Sequence, residues 1–480
     1  MSLPRFVVLK SNYNNKYLRY IHEDVQVHGF LQFSGEEVVS PYAKFEVEVA
    51  NSGHGHVHIR CCYNNKYWVR RRPQEPDEAD KQWIVAGADE PEEGPSKWSC
   101  TLFKPIDVDA DAKTVRFSHV RLGHYACLGR NDAPFDSCLF ASLENPIKDS
   151  CDVFTIIDWE SLLIMPKHVA FKGDNGQYLS ARWIQGHHYL QFASNDVGDP
   201  TVGNEIFTTH DGSIRVKSNY FGKFWRRSPN WIWFLCKKNW IWADSDDTTN
   251  NNFGTLFQPI KVDNNVIALR NLDNNNFCKR LTTEGKTSCL NAGVSAISRE
   301  ARIEVEELVI SRQIRNVNFR LLDARNYRQR VRTMTTQVAY NGSQVPNNVE
   351  LKLSYTETKS NTWSSSVSLK LGVKTNFKAD VPFIVKGKIE ILADFGATYQ
   401  WGESKTTSTA METVYKVTVP PKTMVEVSAR AIEGSCDVPF SYTQCDTLIN
   451  GQQVTYNMED GIYTSISFLN VRYETNQENL

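Results

Sequence analysis

Three histidines at alternate positions, His54, His56 and His58, form the first group in the sequence whose spacing suits a chemical role. On a β-strand, residues two apart lie on the same face, so the three imidazoles would point the same way. Imidazole nitrogen is a common zinc ligand, and a zinc site is one interpretation. The neighbouring glycines Gly53 and Gly55 favour a second interpretation, a turn that exposes the imidazoles to solvent. We expect the turn and no bound metal.

A tryptophan-rich segment could bind sugars, because aromatic rings stack on the apolar faces of pyranoses. Five tryptophans fall within eighteen residues: Trp225, Trp231, Trp233, Trp240 and Trp242. In a hairpin, Trp231 and Trp233 would face Trp240 and Trp242. Two interpretations stay open, a sugar-stacking site and a buried cross-strand stack of rings.

Motifs and composition argue against an enzyme and against a nucleic-acid-binding protein. The sequence contains no nucleophile elbow, phosphate-binding glycine loop, metalloprotease helix or kinase signature. The net charge is −1, which disfavours a surface that binds nucleic acid in general. We therefore expect no catalytic residues, no cofactor and no nucleic-acid partner.

Residues 366–401 alternate apolar and polar side chains with a period of two, which indicates β-strands. Two such runs flank the apolar segment 381–385, so the pattern predicts a hairpin. Each limb has about 16 residues, and about 9–11 suffice to cross a bilayer core. One interpretation is a membrane-inserting hairpin that closes into a barrel with other copies, because open sheet edges cannot lie in hydrocarbon. The other is a hairpin that covers the core of a soluble sheet.

Serine and threonine crowd both sides of this hairpin and favour membrane insertion. They make up nine of the fifteen residues from Ser354 to Ser368 and six of the eleven from Glu403 to Thr413. On this interpretation the apolar end enters the membrane and the polar face lines a pore. The membrane-inserting residues are Val381, Phe383, Ile384 and Val385. The pore-lumen residues are Lys370, Lys374, Lys378, Asp380, Lys388, Glu390 and Asp394.

The charges on the polar face predict the register of the inserted hairpin. Facing residues of an antiparallel pair must share a face, so their numbers sum to an even value. A sum of 768 places Lys378 opposite Glu390 and Lys374 opposite Asp394. The same register places the apolar residue Phe377 opposite Ile391. We expect this register in the pore.

The first 310 residues contain two copies of one long repeat, and each copy repeats internally about every 50 residues. For example, Thr101-Leu-Phe-Lys-Pro-Ile106 returns as Thr255-Leu-Phe-Gln-Pro-Ile260. The equivalent aromatic positions within the six units are Tyr17, Tyr67, Tyr125, Tyr178, Phe224 and Phe277. A later strand of each unit carries Phe45, Phe103, Phe154, Phe207, Phe257 or Ile303. Three four-stranded units predict a β-trefoil, so two trefoils are expected in tandem.

The predicted fold class is therefore all-β. It comprises two tandem β-trefoil domains, residues 1–158 and 166–310, followed by an elongated antiparallel module over residues 311–480.

These motifs resemble those of the amaranthin-type plant agglutinins. The matching pieces include Lys16-Tyr-Leu-Arg-Tyr20, Leu31-Gln-Phe-Ser34, Leu122-Gly-His-Tyr125 and Lys223-Phe-Trp-Arg226. The resemblance covers residues 1–310 and implies recognition of galactose or N-acetylgalactosamine glycans and a head-to-tail dimer. Residues 311–480 resemble the aerolysin-type β-pore-forming module, in which Ser/Thr-rich strands enclose an amphipathic insertion hairpin. Together the two resemblances imply a plant defence lectin that oligomerises on a glycan-bearing membrane and forms a pore.

The agglutinin resemblance implies a sugar-binding loop after the strand with the Asn-Lys-Tyr motif. The family's loop carries a proline, an asparagine and an aromatic residue. In the first trefoil the matching loop is longer and has Gln in place of Asn, and its candidates are Arg72, Gln74, Gln82 and Trp83. In the second trefoil the loop reads Ser228-Pro-Asn-Trp-Ile-Trp233, and its candidates are Asn230, Trp231 and Trp233.

The cysteines and the first residues predict a cytoplasmic protein that acts on membranes after release. Eleven scattered cysteines suit reduced thiols better than a disulfide framework. The first residues show no secretory signal.

Two further alternatives stay open. An arginine-rich span over residues 312–332 could bind anionic lipid headgroups, or it could be a solvated strand edge. The alternative function is a non-lytic defence or storage lectin whose C-terminal module only mediates oligomerisation.

Overall fold

The fold is that of a computed structural model, which describes residues 3–73, 82–229, 239–249, 251–366, 369, 373, 375–377, 379–385, 388–392 and 399–480. These residues form β-strands and short 3-10 helices but no α-helix, and none of their helices is long and apolar enough to cross a membrane. The predicted all-β class is confirmed. The chain divides into two units. One comprises residues 1–312, 366–373 and 445–455, and the other residues 313–365, 374–444 and 456–480.

Twelve strands form the first trefoil. They are β1 Phe6–Ser11, β2 Tyr17–Tyr20, β3 Leu31–Gly35, β4 Phe45–Val49, β5 Val57–Cys61, β6 Tyr67–Arg70, β7 Ile84–Ala88, β8 Phe103–Asp109, β9 Thr114–His119, β10 Tyr125–Leu128, β11 Leu139–Leu143 and β12 Phe154–Asp158. Six of them close a barrel, because β12 returns to pair with β1 after the sequence β1, β4, β5, β8, β9. The other six form the hairpins β2–β3, β6–β7 and β10–β11.

The second trefoil repeats this arrangement with twelve further strands. They are β13 His168–Lys172, β14 Tyr178–Ile184, β15 His187–Ser194, β16 Asn204–Thr208, β17 Ile214–Ser218, β18 Phe224–Arg227, β19 Ile241–Ser245, β20 Phe257–Lys261, β21 Val266–Asn271, β22 Phe277–Thr283, β23 Lys286–Val294 and β24 Ile303–Glu307. Strand β24 closes the barrel on β13. Short 3-10 helices lie at Pro41–Ala43, Trp159–Ser161, Phe253–Thr255, Arg299–Ala301 and Leu321–Asp323.

Each of the six hairpins begins with the aromatic residue that the repeats predict. The register shifts directly after that residue in every hairpin. A β-bulge bends a strand locally, so this position is where each hairpin leaves the barrel. The tandem trefoil fold is confirmed.

Strand β16 carries Phe207 as predicted, but at a different position along the strand from that of Phe45 in β4. Phe45 begins β4 and pairs with Cys61, but the corresponding first residue of β16 is Asn204, which pairs with Ser218. Phe207 lies three residues further along and is half-buried.

Two equivalent tryptophans lie at the centres of the trefoils. Trp68 packs edge-to-face on Phe103 at 5.6 Å, and Trp225 packs in the same way on Phe257 at 6.1 Å. All four rings are fully buried. Burial of each such ring stabilises a domain by about 1.5–3 kcal/mol, so these pairs are principal contributors to the two cores.

Long strands form the C-terminal module. They are β25 Val309–Phe319, β26 Arg325–Asn341, β27 Asn347–Ser364, β28 Asn376–Phe377, β29 Val381–Val385, β30 Lys388–Leu392, β31 Tyr399–Gln400, β32 Ser404–Val419, β33 Thr423–Leu448 and β34 Gln453–Asn479. The main sheet has the order β25-β33-β34-β27-β32, and β26 pairs with β33. Strands β27 and β32 pair without interruption from Asn347↔Val419 to Thr362↔Ser404. The Ser/Thr-rich flanks of the hairpin are therefore cross-strand partners.

Candidate functional site

An open pocket of about 590 Å³ lies on the second trefoil beside Ser228 and Pro229. Strands β18 and β19, residues 251–254 and Asp273 line it. The pocket thus adjoins the start of the loop in which the sequence places the second sugar site.

Two arginine–carboxylate pairs form one wall of the pocket. Arg226 donates to both oxygens of Asp244, with Nε–Oδ1 2.7 Å and Nη2–Oδ2 2.8 Å. Arg227 donates through Nε to Asp273 Oδ2 at 2.7 Å and through Nη1 to Asn239 Oδ1 at 3.0 Å. The bidentate Arg226–Asp244 pair holds both planar groups in a defined orientation, so the hydrogen-bonding atoms of this part of the wall are preorganised.

Asp246 and Asp247 supply the remaining lining carboxylates. Asp246 pairs with Lys223. Asp247 accepts hydrogen bonds from the Thr249 backbone N–H at 2.9 Å and from Asn252 Nδ2 at 3.0 Å. These hydrogen bonds hold the pKa of Asp247 below its ordinary value. The lining has four aspartates and two arginines, so it favours a neutral polar ligand over an anion.

Phe253 adds an aromatic ring to this polar lining. Its side chain is 53% exposed although it lies in a 3-10 helix at the pocket edge. An exposed ring beside oriented carboxylates and amides is the arrangement that a pyranose fits, with the apolar face on the ring and the hydroxyls on the polar groups. Phe253, Asp244 and Asp273 were not predicted from the sequence, because three separated segments supply them.

The first-trefoil candidates lie in different surroundings from one another. Arg72 is exposed, and Gln74 lies outside the described residues. Gln82 is half-buried, and its Oε1 lies 2.7 Å from Nδ1 of His124. Trp83 is only 4% exposed and contacts Phe30, Phe135 and Phe140. We therefore correct the expectation for Trp83, because those rings cover its faces and leave no platform for a sugar.

The second-trefoil candidates Asn230, Trp231 and Trp233 lie outside the described residues, so their sugar-binding role stays a prediction. The other three tryptophans of that segment are placed. Trp225 and Trp240 are buried, while Trp242 is half-buried and stacks on His187 at 4.2 Å and 7°. For these three, packing is the better interpretation.

The three early histidines do not share one environment. His54 lies in an exposed turn with φ 60°, and His56 is half-buried. His58 is buried on β5, with Nδ1 2.8 Å from Thr101 Oγ1, so the expectation of solvent exposure is wrong for this residue. Among the described residues, no group of three or more His, Cys, Asp or Glu side chains is placed to hold a metal ion.

The predicted membrane-inserting segment forms a strand rather than a loop. Val381–Val385 pairs with Lys388–Leu392, so that Phe383 lies opposite Glu390 and Val385 opposite Lys388. Further back, Phe377 lies opposite Tyr399, not opposite Ile391 as expected for the inserted hairpin. Of the predicted lumen residues, Asp380 is exposed. Lys370, Lys374, Lys378 and Asp394 lie outside the described residues.

Two apolar residues of the hairpin are buried in different units. Leu369 is 6% exposed and belongs to the buried apolar cluster of the second trefoil. Phe377 is also buried, and it packs on Trp363 at 4.9 Å and on Trp401 at 5.6 Å within the C-terminal module. Both residues belong to the face that the sequence predicts to contact lipid.

The arginine-rich span is mainly engaged in ion pairs. Arg312 pairs with Glu307 and Asp446, and Arg320 pairs with Asp323. Arg330 and Arg332 share Glu433, and that pairing lowers the pKa of its carboxyl. Structural pairing is therefore the better interpretation of this span than a lipid-headgroup site.

Comparison with known families identifies both parts of the chain. An agglutinin domain matches residues 1–158 and again residues 164–309. An aerolysin toxin domain matches residues 312–455. Neither is an enzyme family.

One similar protein is the cytolytic protein enterolobin of Enterolobium contortisiliquum, which is 30% identical over 220 residues. The alignment covers 41% of this chain and 36% of enterolobin, so the chain spans about a third of that relative's length.

Two solved structures are matched only distantly. The hemolytic lectin CEL-III is 8% identical with a TM-score of 0.32, over 100% of this chain and 94% of that one. A lamprey immune protein is 11% identical with a TM-score of 0.29, over 76% and 87%. These scores are too low to carry an argument. The agglutinin matches, in contrast, cover well over half of the sequence, so the chain belongs to the agglutinin-domain family and carries an aerolysin toxin domain after its two agglutinin domains.

Proposed function

We propose that this lectin binds galactose- or N-acetylgalactosamine-containing glycans on a target membrane and then oligomerises into a transmembrane β-barrel pore. In this proposal it is a plant defence protein, released from the cytoplasm. The observation that carries the proposal is the combination, in one chain, of two agglutinin domains and an aerolysin toxin domain with an amphipathic hairpin. The cytolytic description of enterolobin supports membrane damage as the outcome.

The open pocket beside Ser228 supports the sugar-binding part. Its carboxylates are oriented by Arg226 and Arg227, and Phe253 offers a ring face. A neutral hexose matches this lining better than an acidic sugar, because the lining carries more carboxylates than guanidinium groups. Two trefoils in one chain would also gain avidity on clustered glycans.

Burial of the hairpin's apolar face supports the pore-forming part. Leu369 and Phe377 are covered by protein in the soluble form, as an apolar face must be to stay in water. Insertion would exchange these contacts for lipid. The lumen would then carry five lysines, Lys370, Lys374, Lys378, Lys386 and Lys388, against Asp380, Glu390 and Asp394, and this positive excess favours anions mildly.

Dye-loaded liposomes with and without a galactose-terminated glycolipid test the proposal. The wild type should release dye only from the glycolipid liposomes, and free lactose should inhibit release. Phe383→Asp should bind these liposomes but release dye at least tenfold more slowly, because a charge in hydrocarbon costs about 3 kcal/mol. Phe253→Ala should weaken binding itself. Binding without release by the wild type would overturn pore formation and favour the non-lytic lectin.

A further inference from the structure

Four aromatic side chains form a surface on the second trefoil, and none of them lines the open pocket. Trp183 on β14 lies opposite His188 on β15. Tyr220 and Phe221 lie in the turn between β17 and β18. We call these four residues the aromatic surface.

The rings of the aromatic surface hold one another in place. The Trp183 and His188 centroids are 4.2 Å apart at an interplanar angle of 41°. The Phe221 ring stands nearly perpendicular to both, at 85° to Trp183 and 88° to His188, and Tyr220 contacts Phe221 at 5.3 Å. Such edge-to-face contacts are worth about 0.5–1.5 kcal/mol each beyond burial, so the surface is preorganised.

These contacts leave much of the surface open. Trp183 is 62% exposed and Tyr220 is 53% exposed. The hairpin that carries Trp183 is closed by Gln185 and Gly186, both at positive φ, as in the tight two-residue turns that fix hairpin register. The indole is therefore presented to solvent on a short, well-defined hairpin.

The trefoil scaffold itself does not require an aromatic residue at this position. The hairpin β22–β23 has the same strand length on its first limb and the same kind of turn, at Glu284 and Gly285. Counted from the first residue of each hairpin, its equivalent of Trp183 is Thr282. The exposed indole of Trp183 is thus specific to the hairpin β14–β15 and is not required by the trefoil fold.

We propose that the aromatic surface is a second glycan site, which takes the apolar face of a galactose-type pyranose against Trp183. In galactose the axial hydroxyl leaves several ring C–H bonds on one face, and these suit an exposed indole. The Tyr220 hydroxyl and the His188 imidazole supply hydrogen-bonding groups at the rim. This inference rests on the proposed function as a galactoside-binding lectin.

A lipid interface is the other chemistry that exposed aromatic rings fit. The geometry of the rings argues against it, since Phe221 stands at 85° to Trp183 and 88° to His188. The perpendicular rings therefore form a corner rather than a flat insertion face.

Lactose titration of the full chain tests the inference, with Trp183→Ala compared with Phe253→Ala. Tyr220→Ala is a second variant at the aromatic surface, and Tyr220 has the same 53% exposure as Phe253. The wild type should bind lactose at a site lost in Trp183→Ala and at another lost in Phe253→Ala. Tyr220→Ala should weaken only the first site, by about tenfold. Unchanged melting temperatures would show that the variants fold.

Three outcomes would distinguish a second glycan site from a lipid contact and from a failure of the proposed sugar specificity. If Trp183→Ala binds as many lactose molecules per chain as the wild type, and the site lost in Phe253→Ala is intact, the second site is overturned. The proposed function is then unaffected. If Trp183→Ala instead loses affinity for phosphatidylcholine vesicles without glycolipid, the surface is a lipid contact and the inference is overturned. If the wild type binds no galactoside at either site, the sugar specificity of the proposed function fails.

Discussion

Asp446 and Arg312 form a two-point ion pair, with Nε–Oδ1 2.8 Å and Nη2–Oδ2 2.7 Å, although 134 residues separate them in sequence. Glu307 pairs with the same guanidinium. Nearby, the backbone N–H of Ile449 donates to the carbonyl of Leu308 at 3.1 Å. These contacts fasten the end of β33 and the turn after it to residues 307–312.

Removal of Asp446 should destabilise the protein strongly. The side chains of Arg312, Glu307 and Asp446 are only 14%, 9% and 3% exposed, and this burial raises the pKa of Glu307 even though Arg312 opposes the shift. Asp446→Ala leaves Arg312 paired with Glu307 but removes a hydrogen-bonded carboxylate, and hydrogen bonds to charged groups contribute about 1.5–3 kcal/mol, so the free energy of unfolding in urea should fall by about that amount. Glu474→Ala is the matched control, because its pair with Arg430 is exposed and should contribute less than about 1 kcal/mol. Equal effects of the two substitutions would contradict this account.

Acid should destabilise the first trefoil through His119. Burial lowers the pKa of this imidazole to about 4, and its ring packs on Phe103 at 5.0 Å. An unfolded histidine titrates near 6.5, so the unfolded chain takes up a proton first as the pH falls. The stabilising contribution is complete above about pH 6.5 and is lost as the pH falls towards 4.

Between pH 7 and pH 5 the loss should be about 2 kcal/mol. Chemical denaturation at both pH values measures it. His119→Gln should flatten the difference by about that amount, and the exposed-turn control His54→Gln should keep it. An unchanged pH dependence in His119→Gln would rule out His119 as its source.

Leu369 should change its exposure when the pore forms. In Leu369→Cys, the thiol should resist maleimide in solution, since Leu369 is 6% exposed, and should react once the protein has bound glycolipid liposomes. Mass spectrometry of the labelled peptide reads out this one site. Leu256→Cys is the matched control, also 6% exposed and on the same trefoil, and should stay protected throughout. Protection of Cys at 369 during dye release would show that this residue never leaves the trefoil.

The hairpin should change its register on insertion. Asn376 pairs with Gln400 in the soluble form, whereas the 768 register pairs Lys374 with Asp394. A disulfide between Asn376→Cys and Gln400→Cys should therefore form in solution and block dye release, and a reductant should restore release. Lys374→Cys with Asp394→Cys should crosslink within one subunit only in assembled pores. Full release by the oxidised 376–400 variant would exclude a change of register.

The repeats predicted most of the trefoil fold because each unit has an aromatic residue at the same position, where a hairpin begins. Tyr17 and Phe277 are far apart in sequence, yet both begin a hairpin at a bulge. Local alternation also predicted the hairpin, since Phe383 and Glu390 do lie on paired strands.

Contacts between residues that are distant in the sequence could not be predicted from repeats or local alternation. The position of Trp83 in the sequence matches that of the aromatic residue in the family's sugar-binding loop. Its burial, however, depends on Phe30 and Phe135, which belong to other repeats. The pocket needs Asp244, Phe253 and Asp273 from three segments, and no local pattern joins them. Leu369 fits its strand pattern, but only the tertiary structure shows that it lies in the apolar cluster of the second trefoil.

The open edge at strand β32 affects the resistance of this protein to aggregation. Among the described strands β32 ends the order of the main sheet, so one row of its peptide groups faces outward. A long open edge of this kind is a template for fibril growth. Its exposed residues are mostly Ser, Thr, Lys and Glu, including Lys405, Glu412 and Lys416. These polar and charged side chains keep the outward-facing peptide groups of β32 hydrated. Because the open edge is long, apolar substitutions along it should promote aggregation of the protein on storage.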